Sequence, residues 1–151
     1  MKLEPIVWFE EVVKTHQTIA PHIHHTQVVT CPDLNEELGG KYIFKPESLQ
    51  ITGSFKVRGA LSAISRLSKE QLKYGVVAYS SGNHAQGVAH AAKLFNTPAI
   101  VVMPKDAPVK KIENARTLGA EVVFYDRIKD SREQMAADGC RDCTRKKPYS
   151  H

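Results

Sequence analysis

The chain has 151 residues, of which 42% are hydrophobic and 25% charged, a composition typical of one globular domain with a real core. No stretch approaches the apolar length that spans a bilayer, and Glu4, Glu10 and Glu11 break any secretion-signal pattern. We therefore expect no membrane partner and a cytoplasmic location.

The net charge of +5 is concentrated near the C-terminus. Residues 139–151 carry four basic side chains against Asp142, so residues 1–138 hold a balance of only +2. Those residues show no basic stripe with interleaved aromatic side chains, and a nucleic-acid partner is therefore not expected. Three cysteines without a secretion signal also argue against a disulfide framework.

The first half of the chain predicts short, mixed elements. An amphipathic helix is expected over residues 4–19, ended by Pro21. Short strands follow at 27–29 and 42–44, with a short helix or turn between them at 33–40. Ser54 is the predicted N-cap of a helix over 55–67, and Ser68 that of a second short helix.

The second half is regular. Apolar strands at 76–79, 99–103 and 121–125 alternate with helices near 88–95, 109–118 and 131–137. This alternation with short links predicts βαβ units, a parallel sheet and an α/β fold. The apolar pattern stops near Gly139, and the Cys- and Arg/Lys-rich residues 139–151 are expected to pack poorly.

One candidate chemical motif is Thr-Gly-Ser-Phe-Lys-Val-Arg-Gly-Ala at residues 52–60. Lys56 lies in the first turn of the predicted helix, where the positive end of the helix dipole disfavours an ammonium. A lysine so placed, if desolvated, can form a Schiff base. Taken alone, the segment fits a solvated helix lysine better.

The other motif is Ser-Ser-Gly-Asn-His-Ala-Gln-Gly at residues 80–87, between a predicted strand and helix. Gly82 permits a tight turn, and free N–H groups at a helix start can hold an anion such as a carboxylate. Asn83 can donate and accept hydrogen bonds at a ligand edge. An ordinary capped βα turn with Asn83 as N-cap is an equally good interpretation of this segment alone.

Together, and in this order, the two motifs resemble the fold-type II pyridoxal-phosphate (PLP) enzymes of the serine/threonine dehydratase and serine racemase family. The resemblance extends over about residues 5–138 and includes His25-Thr26, residues 45–50 and Gly-Ala-Glu-Val at 119–122. It implies a three-layer parallel βαβ fold. Residues 1–75 would belong to a large PLP domain, residues 76–138 would form a small βαβ domain, and residues 139–151 would be an atypical tail.

The resemblance also implies residue roles. Lys56 would be the Schiff-base lysine and a catalytic base, Phe55 would flank the pyridine ring, and Asn83 would bind the phenolic oxygen of PLP. The turn formed by Ser81, Gly82, Asn83 and His84 would hold the carboxylate of a small amino-acid substrate. The implied reaction is dehydration of L-threonine or L-serine to a 2-oxo acid and ammonia, and full-length relatives would be homo-oligomers.

Ser81 keeps a different reaction open. In family members that racemise, a serine here serves as acid/base on the face opposite the lysine, since two-base chemistry needs a proton carrier on each face. Serine racemase or hydroxyaspartate dehydratase activity is therefore an alternative. A small residue tolerated in the turn is an equally good explanation.

Several parts of the family's site are missing from this sequence. The chain has no glycine-rich run to cradle the cofactor phosphate, and the resemblance places the pyridine-nitrogen partner and the metal ligands downstream. The sequence therefore suggests an N-terminal fragment, truncated by a frameshift or stop, and a non-catalytic binding module is the competing hypothesis. No metal site is expected from His22, His24 and His25, or from the half-site Cys140, Cys143 and His151.

Overall fold

The computed structural model describes residues 7–145, with side-chain placement through residue 139. Helices and strands alternate along the chain. They are α1 Phe9–Ile19, β1 Val29–Thr30, α2 Pro32–Glu37, β2 Ile43–Phe44, α3 Lys56–Ile64, α4 Lys69–Tyr74, β3 Val76–Tyr79, α5 Asn83–Leu94, β4 Ala99–Pro104, α6 Val109–Thr117, β5 Glu121–Tyr125 and α7 Arg132–Arg145. Short 3₁₀ turns follow α1 and precede α3 at Ala20–His22, Glu47–Leu49 and Ile51–Gly53.

The principal sheet is parallel, with strand order β3-β4-β5. Val77 lies opposite Ile100, and Val101 lies opposite Val122. Every residue of the central strand β4 is buried, which explains its uninterrupted apolar sequence. The predicted parallel βαβαβ sheet is therefore confirmed, with strand bounds that match the apolar runs of the sequence.

A smaller, antiparallel ribbon of β1 and β2 lies apart from this sheet, with Val29 opposite Phe44 and Thr30 opposite Ile43. All four residues of the ribbon are exposed. Helix α1 adds further exposed apolar side chains, with Phe9 75% exposed and Val12 53% exposed.

The predicted end of the last helix was wrong. Helix α7 continues past Gly139 to Arg145. A Cβ atom at Gly139 would lie 3.7 Å from side-chain carbons of both Val77 and Ile100, so this residue packs on the sheet. Contact with the sheet thus supports α7 at Gly139, where the local sequence has no apolar pattern. The remaining tail, residues 146–151, lies outside the described residues.

The local sequence predicts the N-caps of the helices only in part. Ser68 caps α4 as predicted, with its hydroxyl accepting from the Gln71 N–H at 3.1 Å. Ser54 stands one position too early, because Phe55 occupies the N-cap of α3 and the Ser54 hydroxyl only accepts from the Lys56 N–H at 3.4 Å. At the start of α5 the N-cap is Gly82 rather than Asn83.

One apolar core joins the two halves of the described chain. Val57 and Leu61 of α3 pack with Ala85 and Val88 of α5 and with Val101 of β4. Burial of these side chains from both halves fixes α3 against the βαβ unit. The division of the chain into domains at residue 75 stays a prediction.

Among the described residues, none of the helices combines the length and apolar character needed to cross a bilayer.

Candidate active site

Lys56 is the first residue of α3, and Phe55 immediately precedes it. Both side chains are exposed, Phe55 by 57%, and the Lys56 Nζ atom lies 4.8 Å from the centre of the Phe55 ring. The ring face attracts the ammonium, so the two side chains form one cationic and aromatic surface.

The loop before α3 holds a strained backbone. Thr52 has a φ of 64° and Gly53 a φ of 69°, a region that costs a β-branched residue free energy. The Thr52 hydroxyl is also buried without a hydrogen-bond partner among the described residues. Strained residues persist only where the surrounding structure holds them in place. We therefore infer that the fold holds this loop, next to Lys56, in its strained conformation.

Gln50 helps to hold the loop in this conformation. Its side-chain oxygen accepts from the His24 N–H at 2.8 Å and the Ile51 N–H at 2.9 Å, and its Nε2 donates to the His24 carbonyl at 2.8 Å. Gln50 is only 3% exposed. These bonds tie the start of the loop to the segment after α1.

Glu47 and Arg58 support the loop from the other side. Arg58 Nε and Nη2 donate to the two Glu47 oxygens at 2.7 and 2.8 Å, and the Thr26 hydroxyl donates to Glu47 Oε1 at 2.7 Å. Lys45 Nζ also donates to the Thr26 carbonyl. Hydrogen bonding from Arg58, against a smaller opposing effect of burial, lowers the pKa of Glu47 to about 2. The Glu47–Arg58 ion pair therefore stays ionised at neutral pH. It joins two residues that lie on either side of Lys56 in the sequence.

The turn between β3 and α5 carries the second motif. The Ser80 hydroxyl accepts from the Gly82 N–H at 3.2 Å, which shapes the turn. Ser81 is exposed, and Asn83 and His84 are the first two residues of α5, both exposed. Partial desolvation, and to a smaller extent the charge of Lys56, lower the pKa of His84. Lys56 is therefore close enough to this turn for its charge to act on the imidazole.

The packing of α5 on α3 explains that proximity. A Cβ atom at Gly87 would lie 3.1 Å from the Lys56 carbonyl carbon and from the Val57 nitrogen. Glycine at this point lets α5 approach the backbone of α3 at the residue that carries the lysine. The starts of α3 and α5, which hold the two motifs, thus lie on neighbouring packed elements.

Two side-chain bonds connect α5 to α6, and sequence reasoning missed both. Lys111 Nζ donates to Asn83 Oδ1 at 2.5 Å, and Asn114 Nδ2 donates to Gln86 Oε1 at 2.8 Å. The Nε2 atom of the buried Gln86 has no hydrogen-bond partner among the described residues. A lysine on a polar helix face carries no local signal of such a role; the spacing of Asn83 and Gln86 on one face of α5 was the only sequence clue.

A cavity of about 380 Å³ adjoins the Phe55 side of the site. Polar, charged and apolar side chains line it together: His16, Ala20, Ile23, His24, His25, Lys45, Glu47, Phe55 and Arg58. Within the described residues, no three or more histidine, cysteine or acidic side chains are grouped so that they could hold a metal ion. The half-site Cys140, Cys143 and His151 lies outside the described side chains.

The side chains of the two motifs suit an aromatic aldehyde cofactor. A lysine amine can condense with an aldehyde, an aromatic ring can flank a planar heterocycle, and an amide can bind a ring oxygen. Free N–H groups at the start of α5 can bind a carboxylate. The described residues therefore fit the part of PLP that surrounds its aldehyde.

Comparison with known proteins agrees with this chemistry. The chain is 50% identical over 127 residues to L-threo-3-hydroxyaspartate ammonia-lyase from Pseudomonas sp, covering 84% of the chain and 40% of that relative. It is 42% identical over 130 residues to serine racemase from Schizosaccharomyces pombe, covering 86% and 40%. The structure of maize serine racemase superposes with a TM-score of 0.85 at 38% identity, covering 89% of this chain and 41% of the maize chain.

The chain thus spans about 40% of the length of these relatives. The solved neighbour is a fold-type II enzyme, so the predicted fold class is confirmed together with the parallel sheet. A family model described as pyridoxal-phosphate dependent enzyme matches residues 19–150, a range that includes both motifs and the helices that bring them together. By its sequence, its fold and the chemistry of its two motifs, this chain belongs to the pyridoxal-phosphate dependent enzymes.

Proposed function

We propose that this chain forms the lysine-bearing half of the active site of a PLP-dependent ammonia-lyase. Its substrates would be hydroxy amino acids such as L-threonine and L-serine, converted to a 2-oxo acid and ammonia. One observation carries the proposal: α5, which begins at Asn83, packs directly against the backbone of Lys56 at Gly87. A single cofactor can then engage the lysine and the asparagine together.

The cofactor, when bound, supplies an electron sink for the electrons left when the substrate loses its α-proton. Lys56 would hold the cofactor at its aldehyde carbon, and the Lys56 Nζ atom would accept the α-proton of the substrate. Phe55 lies beside Nζ and would flank the planar ring of the cofactor. Asn83 would bind the cofactor oxygen next to the aldehyde.

The turn at Ser81–His84 binds the substrate carboxylate. The N–H groups at the start of α5 lack intrahelical partners and lie at the positive end of the helix dipole. The lowered pKa of His84 leaves its imidazole neutral at physiological pH, so it can donate one hydrogen bond without adding charge. The substrate would thus be held with its α-carbon towards Lys56.

Two alternatives remain within the family. The relatives include serine racemases as well as ammonia-lyases, and Ser81 is an exposed hydroxyl in the carboxylate turn. Racemisation of serine, or dehydration of a 3-hydroxyaspartate, is therefore the second candidate. A non-catalytic anion-binding module is the third, because the chain spans about 40% of its relatives.

We further expect a small amino acid as the main partner, no nucleic-acid or membrane partner, and a cytoplasmic location. Homo-oligomers are expected for full-length relatives.

Selective labelling of Lys56 tests the cofactor assignment on the chain as it is. The purified chain is incubated with PLP, reduced with borohydride and mapped by mass spectrometry. We expect the label at Lys56 ahead of every other lysine, because the cofactor would be held there by Phe55 and Asn83. Asn83→Ala should reduce labelling at Lys56 and leave surface lysines such as Lys69 unchanged. Labelling spread evenly over the lysines would refute the cofactor assignment.

A chimaera tests the reaction. The chain is joined to the C-terminal part of the Pseudomonas ammonia-lyase that lies beyond the matched region. Release of ammonia and a 2-oxo acid is then measured with L-threonine, L-serine and L-threo-3-hydroxyaspartate. Turnover that disappears with Lys56→Ala supports the proposal. Cofactor binding without any turnover would instead favour the non-catalytic module.

A further inference from the structure

Lys111 makes an unusual contact for a helix lysine. It is the third residue of α6, and its Nζ donates to the Asn83 side-chain oxygen of α5 at 2.5 Å. The side chain is partly buried, whereas its neighbour Lys110 is 80% exposed and pairs with Glu113 at 3.8 Å on the surface. Of these adjacent lysines, only Lys111 reaches the motif that begins α5.

The contact determines the orientation of the Asn83 amide. A lysine ammonium can only donate hydrogen bonds, so the amide atom bonded to it must be the oxygen. The Nδ2 atom, a donor, is then the atom left for any ligand. An amide free to rotate could offer either atom, and would bind acceptors and donors with little discrimination.

A second bond keeps Lys111 in place. Asn114, one turn later on α6, donates to Gln86 of α5 at 2.8 Å, and Gln86 lies one turn after Asn83. The two bonds therefore join matching turns of the two helices. Because Gln86 is only 3% exposed, this second bond is shielded from competing water.

We propose that Lys111 is a positioning residue that orients Asn83 as an obligate hydrogen-bond donor towards the cofactor. This rests on the proposed function, in which Asn83 binds the ring oxygen next to the aldehyde. That oxygen accepts hydrogen bonds when ionised, so the amide must present Nδ2. The positive charge of Lys111 behind the amide also favours the ionised oxygen.

The first test needs no cofactor. The side-chain amide signals of Asn83 are followed by ¹H–¹⁵N NMR of the chain and identified by their loss in Asn83→Ser. Lys111→Met should shift these signals, Lys111→Arg should keep them near their original positions, and Lys110→Met should not change them. Signals that stay in place in Lys111→Met would overturn the proposal.

The second test measures PLP binding by the same variants through borohydride trapping at Lys56 over a range of PLP concentrations. Loss of one well-placed hydrogen bond should weaken binding on the order of tenfold in Lys111→Met. Lys111→Arg should restore most of the affinity, and Lys110→Met should bind like the parent. The melting temperatures of the three variants identify any general loss of structure.

The two tests distinguish failure of this proposal from failure of the proposed function. If the Asn83 signals shift but Lys111→Met binds PLP as tightly as the parent, Lys111 does not position Asn83 for the cofactor. If the parent chain does not trap PLP at Lys56, the proposed function fails, while the NMR signals still decide whether Lys111 orients Asn83.

Discussion

At the scale of single residues, the site contains a few residues whose environment or backbone conformation differs from that of ordinary surface residues. Lys56 lies over an aromatic ring, Thr52 has a left-handed backbone, and Glu47 is held by three hydrogen bonds. The partners of Glu47, Thr26 and Arg58, lie 21 and 11 positions away, whereas the contact of Lys56 with Phe55 is local. Substitutions here should therefore affect the geometry near Lys56 as well as local contacts.

Glu47→Gln should destabilise the chain by about 2 kcal/mol, since it replaces charge-assisted bonds to a largely buried Arg58 partner. The pKa of Glu47 is lowered in the folded chain from 4.5 to about 2. Its contribution is therefore complete above about pH 4.5 and is lost as the pH falls towards 2. Urea unfolding at pH 7 and pH 3 measures both effects.

Glu70→Gln is the matched control for Glu47. Glu70 is also paired with a cation, Lys73, at 2.8 Å, but its side chain is 65% exposed. Loss of this surface pair should change the unfolding free energy far less than the loss of Glu47, because solvent screens exposed charges. Equal losses in the two variants would show that Glu47 and Arg58 do not clamp the loop.

Ser81→Ala tests the role of the hydroxyl in the carboxylate turn, in the chimaera described above. We expect loss of serine racemisation, by at least about 100-fold if Ser81 is the second acid/base group. Elimination from the L-substrate should be largely retained, because Lys56 alone serves that face. The measurements are chiral chromatography of serine and 2-oxo acid release. Racemisation at the parental rate would exclude Ser81 as a proton carrier.

At the scale of elements, the contact between α3 and α5 positions the site. Two glycines in these helices have opposite surroundings. A Cβ atom at Gly87 of α5 would lie 3.1 Å from the backbone of Lys56, whereas one at Gly59 of α3 would have no heavy atom within 4 Å. Backbone cannot move aside as a flexible side chain can, so only one of the two positions requires glycine.

Gly87→Ala should therefore destabilise the chain by about 1–3 kcal/mol, because the methyl group separates the helices. Gly59→Ala should stabilise it by about 0.5–1 kcal/mol, since alanine favours an exposed helix position. Thermal and urea unfolding measure both. The separation in Gly87→Ala should also reduce PLP trapping at Lys56. A neutral Gly87→Ala would mean that the helices do not depend on this close approach.

At the scale of the whole molecule, exposed apolar side chains are concentrated before residue 56. Examples are Phe9 and Val12 of α1, and Ile43 and Phe44 of β2, which are between 45% and 75% exposed. Exposed apolar patches of this kind bind other apolar surfaces. The β1–β2 ribbon contributes to them with all four of its residues exposed.

The chain should therefore bind the dye anilinonaphthalene sulfonate in its folded state. Phe9→Lys and Phe44→Lys together should lower the dye fluorescence while changing the unfolding free energy by less than about 1 kcal/mol, because both side chains are already exposed. Ile128→Lys is the control, since Ile128 is 94% exposed in the loop between β5 and α7. A larger drop from Ile128→Lys would contradict this location of the apolar surface.

The sequence by itself determined the alternation of strands and helices, because apolar periodicity and turn residues are local properties. The bounds 76–79 and 121–125 agree with the structure, and the capping of α4 by Ser68 follows from four consecutive residues. The two motifs also indicated the family, since their order and spacing are themselves features of the sequence. The end of α7 was misplaced, because contact of Gly139 with the sheet is not a local property, and the starts of α3 and α5 differ by one residue from the predicted caps.

Tertiary structure alone decided how the site is supported. The approach of Gly87 to Lys56, the pairing of Glu47 with Arg58 and the bond from Lys111 to Asn83 each join residues that are 11 to 31 positions apart. No local pattern distinguishes Lys111 from Lys110, and the packing of α6 on α5 places only Lys111 beside the amide. Such contacts arise when helices bury their apolar faces in one core, so the sequence specifies them only through the complete fold.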